Sequence, residues 1–383
     1  MLGSRMWPVK DRQKYTAVAR EDEEGSGGEV VSKELSEQRR SRVWACKIGA
    51  GITISVVVIL LAGFFATKTG SLQTANSVER PPTEQPHTPA PSDTGCPSRR
   101  EWRTLSNPDK QAYISAVLCL LNSTSTLAPN TNHTAYDDFP WIHSHVGYAT
   151  HNSAPFLPWH RYFLHVYETA LRDKCGYTGG LVYWDWTLDS EALEHSPVFD
   201  PETGFGGDGE VGGEITVGRS GRCVVDGPFA GTQVDFYDVK HQPHCLSRGF
   251  RDLEGNLGHM DGKDISPDSI EAVLSIEGYE DFVAAMESKV HDAIPFGIAG
   301  DFETFTAPYD PIFFLHHTQL DRLWWLWQQR QPERGLESYS GHKGRHTIEM
   351  ASLDDDLHYK GLAPDVKVRD VMDVEGELLC YRY

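Results

Sequence analysis

Residues Ile48–Ala66 form a run of 19 without one charged side chain, IGAGITISVVVILLAGFFA. An uncharged stretch of about 20 residues matches the hydrocarbon core of a bilayer as a single helix. A buried core helix would carry a polar face, and this run has none. A secretory leader would begin closer to residue 1, whereas 47 mostly polar residues come first. The run therefore predicts a transmembrane helix over 48–67 and divides the chain. Lys33, Arg39, Arg40, Arg42 and Lys47 precede it, while Lys68 alone follows before Arg80. The excess of positive charge on the N-terminal side predicts a type II orientation, with residues 1–47 as a disordered cytosolic tail. Residues 68–95 are dominated by Pro, Ser and Thr, the composition of an extended stalk. The folded domain is expected over 96–383, on the lumenal or extracellular side.

Six cysteines fall in that domain, Cys96, Cys119, Cys175, Cys223, Cys245 and Cys380, with Cys46 at the cytosolic membrane edge. An even number in an oxidising compartment predicts up to three disulfides of open pairing, with buried free thiols as the alternative. The sequons at Asn122 and Asn132 are glycosylation candidates that agree with this topology. The formal net charge of −20 repels phosphate backbones and argues against a nucleic-acid partner.

Helical signals dominate the domain. Asn107-Pro108-Asp109 reads as a helix start. A second helix is expected from near Pro158 to the stop at Gly176, with His151 on the loop approaching it. A third is expected from about Asp268 to Val290, with Gly278 as a possible break, and a fourth from about Pro311 to Gln329. Strand signal is confined to short runs such as Gly180–Trp184, and the Gly-rich stretch 201–262 reads as long loops packed by local contacts and disulfides. The expected fold is mainly α, a helix bundle with few short strands.

The chain has 17 histidines against six methionines. Neutral imidazole is a ligand for copper, zinc and iron, and helices project such ligands rigidly into a bundle. The segment YDDFPWIH (136–143), the spacing from His151 to His160 in HNSAPFLPWHRYF, and DPIFFLHHTQLDRLW (310–324) carry the pattern. Together with PFGIAGDF (295–302) these segments resemble the copper-binding motifs of the tyrosinase family. The resemblance implies a four-helix bundle holding two copper ions, each on three imidazoles, that bind O2 between them. It implies oxidation of a monophenol or catechol.

Carried over by position, the resemblance gives His143, His151 and His160 to the first copper, with His145 a competitor for the first place. It gives His291 and His317 to the second, leaving His316 beside the ligands rather than among them. The family expects His-x-x-x-His at the second copper, but this chain reads His291-Asp-Ala-Ile-Pro295. Proline has no ligand atom in its side chain. Three readings follow: another histidine (His145, His259 or His316) completes the site; two imidazoles suffice with water or Asp292; or the site is mononuclear or inactive.

Glu287 resembles a family glutamate that holds an active-site water, and Asp292 stands where its asparagine partner usually lies. Either carboxylate is a candidate general base, against the plainer reading of two acids on a solvated helix face. Arg161 and Asp321 are expected to form a salt bridge across the bundle, Phe296 to shape substrate entry, and Trp324, Trp325 and Trp327 to be core. The sequence ends at Tyr383 just after GELLCYR, and no covering C-terminal domain is expected.

The anchor and the short domain resemble membrane-bound fungal tyrosinase-like proteins of secondary-metabolite pathways making cyclic-peptide toxins of the ustiloxin and phomopsin type. That resemblance implies a tyrosine-containing peptide or other small phenolic as substrate. A non-catalytic copper or O2 carrier and a pigment-forming tyrosinase acting on free tyrosine or DOPA are the alternatives.

Overall fold

The computed structural model describes residues 95–383. The expected tail, membrane helix and most of the stalk lie outside the described residues. Among the described residues no helix is long and apolar enough to cross a membrane.

Seven α-helices and short two-stranded ladders make up the domain. Helix α1, Asn107–Leu120, opens where the sequence signals it. The cap is Ser106, one residue earlier than expected, whose Oγ accepts the Asp109 N–H at 3.3 Å. Helix α2 spans Asp138–Thr150 and was not expected from the sequence. Pro140 falls in its first turn, where a missing N–H costs nothing. Phe139, Ile142, His143, Val146 and Gly147 are all buried, so it shows little of the polar face by which a surface helix is recognised.

Helix α3, Phe156–Cys175, starts two residues before Pro158 and ends at Gly176, which adopts φ 67°. That left-handed backbone favours glycine and terminates the helix. The third expected helix breaks at Gly278 into α4, Pro267–Leu274, and α5, Tyr279–Ala285. A wide π-type turn, Met286–His291, follows and leads into α6, Asp292–Ile298. Pro295 sits inside α6 and cannot donate to the carbonyl of His291 four residues back. The turn widens over the residues immediately before that lost bond. Helix α7, Ile312–Gln329, is the fourth expected helix.

Helix α3 packs along α7 and against α1 and α2. Phe139 of α2 meets Phe163 of α3 and Phe314 of α7 edge-on, at ring centroids of 5.5 and 5.7 Å. Offset and edge-to-face aromatic packing of this kind is favourable beyond the area it buries. Trp324 and Trp327 are fully buried and Trp325 partly so, as expected of core residues.

Buried Arg161 donates Nε–H to Asp321 Oδ1 at 2.5 Å, which ties α3 to α7 as the sequence suggested. Tyr381 and Tyr383 donate to the other oxygen of Asp321, each at 2.5 Å. The domain's two ends also meet through Cys96–Cys380 and through the Arg99 N–H to Arg382 carbonyl bond of 2.8 Å.

Strand β1, Arg100–Glu101, pairs in parallel with β2, Val182–Tyr183. The Gly-rich stretch is more ordered than a string of loops. Strand β3, Arg222–Cys223, pairs with β6, Ser247–Arg248, and β4, Gln233–Tyr237, forms a hairpin with β5, Lys240–Cys245. Cys223–Cys245 staples this layer, and Cys119–Cys175 joins α1 to the end of α3. Arg248 is fully buried and grips Asp310, just before α7, through Nε–Oδ2 at 2.6 Å and Nη2–Oδ1 at 3.0 Å. A two-bond guanidinium–carboxylate pair of this geometry fixes direction as well as distance. It anchors the loop layer to the helix that carries His316 and His317. Strands β7, Asp356–Leu357, and β8, Val366–Lys367, form the last ladder.

Candidate metal centre

Six buried histidines converge in two groups, His143 with His151 and His160, and His291 with His316 and His317. Within each group one ring nitrogen from every residue lies within 4.8 Å of the other two. His143 comes from the middle of α2, His151 from the residue that ends it, and His160 from the second turn of α3. His291 closes the π-type turn, and the His316-His317 pair lies in α7. The two groups adjoin: the His151 and His291 rings are 5.8 Å apart and the His160 and His317 rings 4.3 Å.

The hydrogen bonds of the first group choose its tautomers. His143 Nδ1 faces the Phe305 carbonyl at 2.7 Å, His151 Nδ1 the Gly147 carbonyl at 2.8 Å, and His160 Nδ1 the Phe156 carbonyl at 2.7 Å. A carbonyl only accepts, so each Nδ1 carries the proton and each Nε2 presents a lone pair. His143 Nε2 and His160 Nε2 nonetheless approach to 3.2 Å. Two lone pairs at that distance repel unless a shared cation binds both. Burial pushes His143 down to about 4 and holds His151, His160, His316 and His317 well below the ordinary imidazole range. All five are therefore neutral at pH 7, the form that binds a metal. This donor set fits copper.

Every expected ligand thus lies in the cluster. His316, expected beside the ligands, is grouped with His291 and His317. The doubled histidine in the sequence was the signal for it, but which member points inward depends on side-chain rotation. The other two candidate replacements lie elsewhere. His145 is stacked on Trp141 at 4.2 Å with Nδ1 on the Trp141 carbonyl, and exposed His259 pairs with Glu194 at 2.8 Å.

A cleft of about 470 Å³ opens onto the cluster. His143, His151 and His291 line it, together with Pro295, Phe296, Phe305 and Arg345. Phe296 is 46% exposed, large for an aromatic ring and in accord with a place at the entrance. Glu287 also lines the cleft and accepts the Asn152 N–H with both oxygens. Burial, reinforced by Asp292, pushes its carboxyl up to about 8. Asp292, weighed as a proton acceptor beside Glu287, instead takes His291 Nδ1–H at 2.9 Å. A carboxylate in that position orients a ligand imidazole.

Two adjoining triads of buried imidazoles form a site able to hold a pair of metal ions. The model of the common central domain of tyrosinase matches residues 133–330, and the chain belongs to the tyrosinase family, copper oxidoreductases with a type 3 dicopper centre. Its similarity to tyrosinase ustQ of Aspergillus flavus is 40% identity over 373 residues, covering 97% of each chain. With tyrosinase-like protein phomQ2 of Diaporthe leptostromiformis it shares 49% over 288 residues, 75% of this chain and 73% of that one. A mutant polyphenol oxidase from Thermothelomyces thermophila superposes with a TM-score of 0.64 at 27% identity, covering 76% of this chain and 90% of that one.

Proposed function

We propose that this protein oxidises a phenol with O2, by ortho-hydroxylation or by two-electron oxidation of a catechol, as a tailoring step in fungal secondary metabolism. The observation that carries this reading is the pair of facing Nε2 lone pairs of His143 and His160, beside a second triad whose His291 lines an open cleft. His143, His151 and His160 would hold the first copper, in a four-helix bundle of α2, α3, α5–α6 and α7. His291 and His317 would hold the second. Copper bound there supplies the redox chemistry with O2.

The chain's own groups position the rest. Phe305 and Phe296 wall the cleft and exclude water from the ring of a docked phenol. Glu287, pushed to about 8, is matched to taking the phenol proton on a carboxylate oxygen near neutral pH. Asp292 keeps the His291 ring in one orientation.

The substrate we favour is a tyrosine-containing peptide. A second hollow of about 440 Å³ meets the cleft at Asp292, Phe296 and Glu303, leaving room beyond a single amino acid. Oxygen uptake by the copper-loaded full chain, with tyrosine, DOPA and tyrosyl peptides compared, tests this. Uptake with peptides and little with the free amino acids is expected. Faster darkening of DOPA would favour a pigment-forming enzyme. Reversible O2 binding with no turnover would favour an O2 carrier, the reading motivated by Pro295.

We also place the protein as a single-pass type II membrane glycoprotein. The apolar run, three disulfides confined to 96–383, and the exposure of both Asn122 and Asn132 support this. In sealed microsomes, protease removal of the tail with protection of the 96–383 domain, together with a mass loss on deglycosylation, is the expected result; a protected domain without glycan would remove those two sites, and a protected tail would overturn the orientation.

A further inference from the structure

Building on the copper-oxidase reading, we infer that His316 takes the ligand position vacated at Pro295, and that Trp186 tunes how tightly the second copper is held. Pro295 lies one helical turn beyond His291 and lines the cleft without a donor atom. His316 is fully buried on α7, with its ring 5.4 Å from His291 and 5.2 Å from His317. Its Nε2 has no hydrogen-bond partner, and neither ring nitrogen of neighbouring His317 has one. Buried nitrogens left unpaired are costly, and three in adjacent side chains are accounted for by a bound ion.

The sixth imidazole differs from four of the others in what holds it. Trp186 Nε1–H donates to His316 Nδ1 at 3.2 Å. An indole N–H only donates, so Nδ1 presents its lone pair and the proton of the neutral ring sits on Nε2. His143, His151, His160 and His291 are arranged the opposite way, with Nδ1–H toward an oxygen. Ligation by His316 Nε2 requires that atom to lose its proton while Nδ1 takes one up, with no change in the ring's net charge. Nδ1–H then faces the indole N–H, and their hydrogen bond is lost. The net worth of one hydrogen bond is small beside copper's affinity for imidazole. Ligation therefore wins, but the lost bond makes the second copper the more weakly held.

The experiment counts copper per chain in the loaded full-length protein and titrates it with a copper chelator, with near-ultraviolet circular dichroism reporting the fold. Two coppers are expected in the wild type and one in both His316→Asn and His316→Gln. Adding Pro295→His to His316→Asn should restore the second. Trp186→Phe should keep both and raise the chelator concentration that strips the second by roughly two- to tenfold, the range of one net hydrogen bond. Two coppers with unchanged chelator resistance in a folded His316→Asn protein would overturn the inference. So would a wild type holding one copper, lost in His160→Asn but not in His316→Asn, which leaves the first triad standing. No copper in any protein would overturn the copper-oxidase reading itself. If both His316 variants unfold, Trp186→Phe decides alone, and unchanged or lowered resistance overturns the inference.

Discussion

The backbone N–H of Asn152 donates to both carboxylate oxygens of Glu287, at 2.8 and 2.7 Å. Asn152 immediately follows His151 and holds φ 54°, a left-handed conformation that asparagine tolerates better than most residues. One acid on the π-type turn thereby fixes the loop leaving α2 and lines the cleft. In the copper-free protein its carboxyl lies near 8, above its ordinary 4.5. Folding thus favours the protonated form. That contribution is fully present below about 4.5 and is lost as pH rises toward 8, at up to about 1.4 kcal/mol per pH unit. Wild-type stability minus that of Glu287→Gln, from denaturant unfolding at each pH, should fall across this window; a flat difference would refute it. The same substitution should lower kcat by roughly 10²- to 10⁴-fold.

The histidine cluster should act with the opposite sign. Burial lowers His143 to about 4 from 6.5 and holds four of its neighbours well below 6.5. The stability tied to these neutral rings is present above pH 6.5 and lost as pH falls through the lowered values. Copper-free protein should lose thermal stability on acidification below 6.5. The rise in Tm on copper loading at pH 7 should shrink in the same range, because protons compete for the ligand nitrogens. Calorimetry with and without chelator measures both.

Asp321 joins Arg161, Arg99, Tyr381 and Tyr383. Burial alone would raise its carboxyl, but the two guanidinium groups and the tyrosine hydroxyls outweigh it and hold it below the usual range. Asp321→Asn leaves buried Arg161 without a carboxylate partner, while Arg99 keeps Glu168 at 2.8 Å, and should cost about 3–5 kcal/mol. Denaturant unfolding would show it, and a loss under 1 kcal/mol would mean that the tyrosines and Gln328 suffice.

Gly147 lies inside α2, where alanine would ordinarily be preferred by about 1 kcal/mol. A Cβ there would stand 2.6 Å from the Phe305 ring, which in turn sits against His143 and His151. Gly147→Ala should therefore fail to stabilise the helix and should push Phe305 into the cleft. The expected kinetic result is a KM several-fold higher with kcat less affected; a rise in Tm with unchanged KM would contradict it.

Much of the centre is legible in the linear chain because its signals are local. His160 sits in a helix whose stop at Gly176 is a backbone preference of one residue, and the His316-His317 pair lies within a strongly apolar helix. Helix α2 escaped notice because it is buried on nearly every side, so the contrast between faces that marks a surface helix is weak. The Gly-rich stretch hid its hairpin for a related reason: β5 carries exposed residues such as Lys240 and Gln242, and its order comes from Cys223–Cys245 and the Arg248–Asp310 pair.

Sequence alone determined the helical class, the copper motifs, five of the six histidines and the absence of a ligand atom at Pro295, since each depends on residue identity and short-range spacing. Tertiary structure decided the cysteine pairing, the inward turn of His316 under Trp186, and the capture of Asp292 by His291. Those outcomes rest on angstrom-scale distances, most of them between residues far apart in the chain, and only packing of the helices and rotation of the side chains sets them.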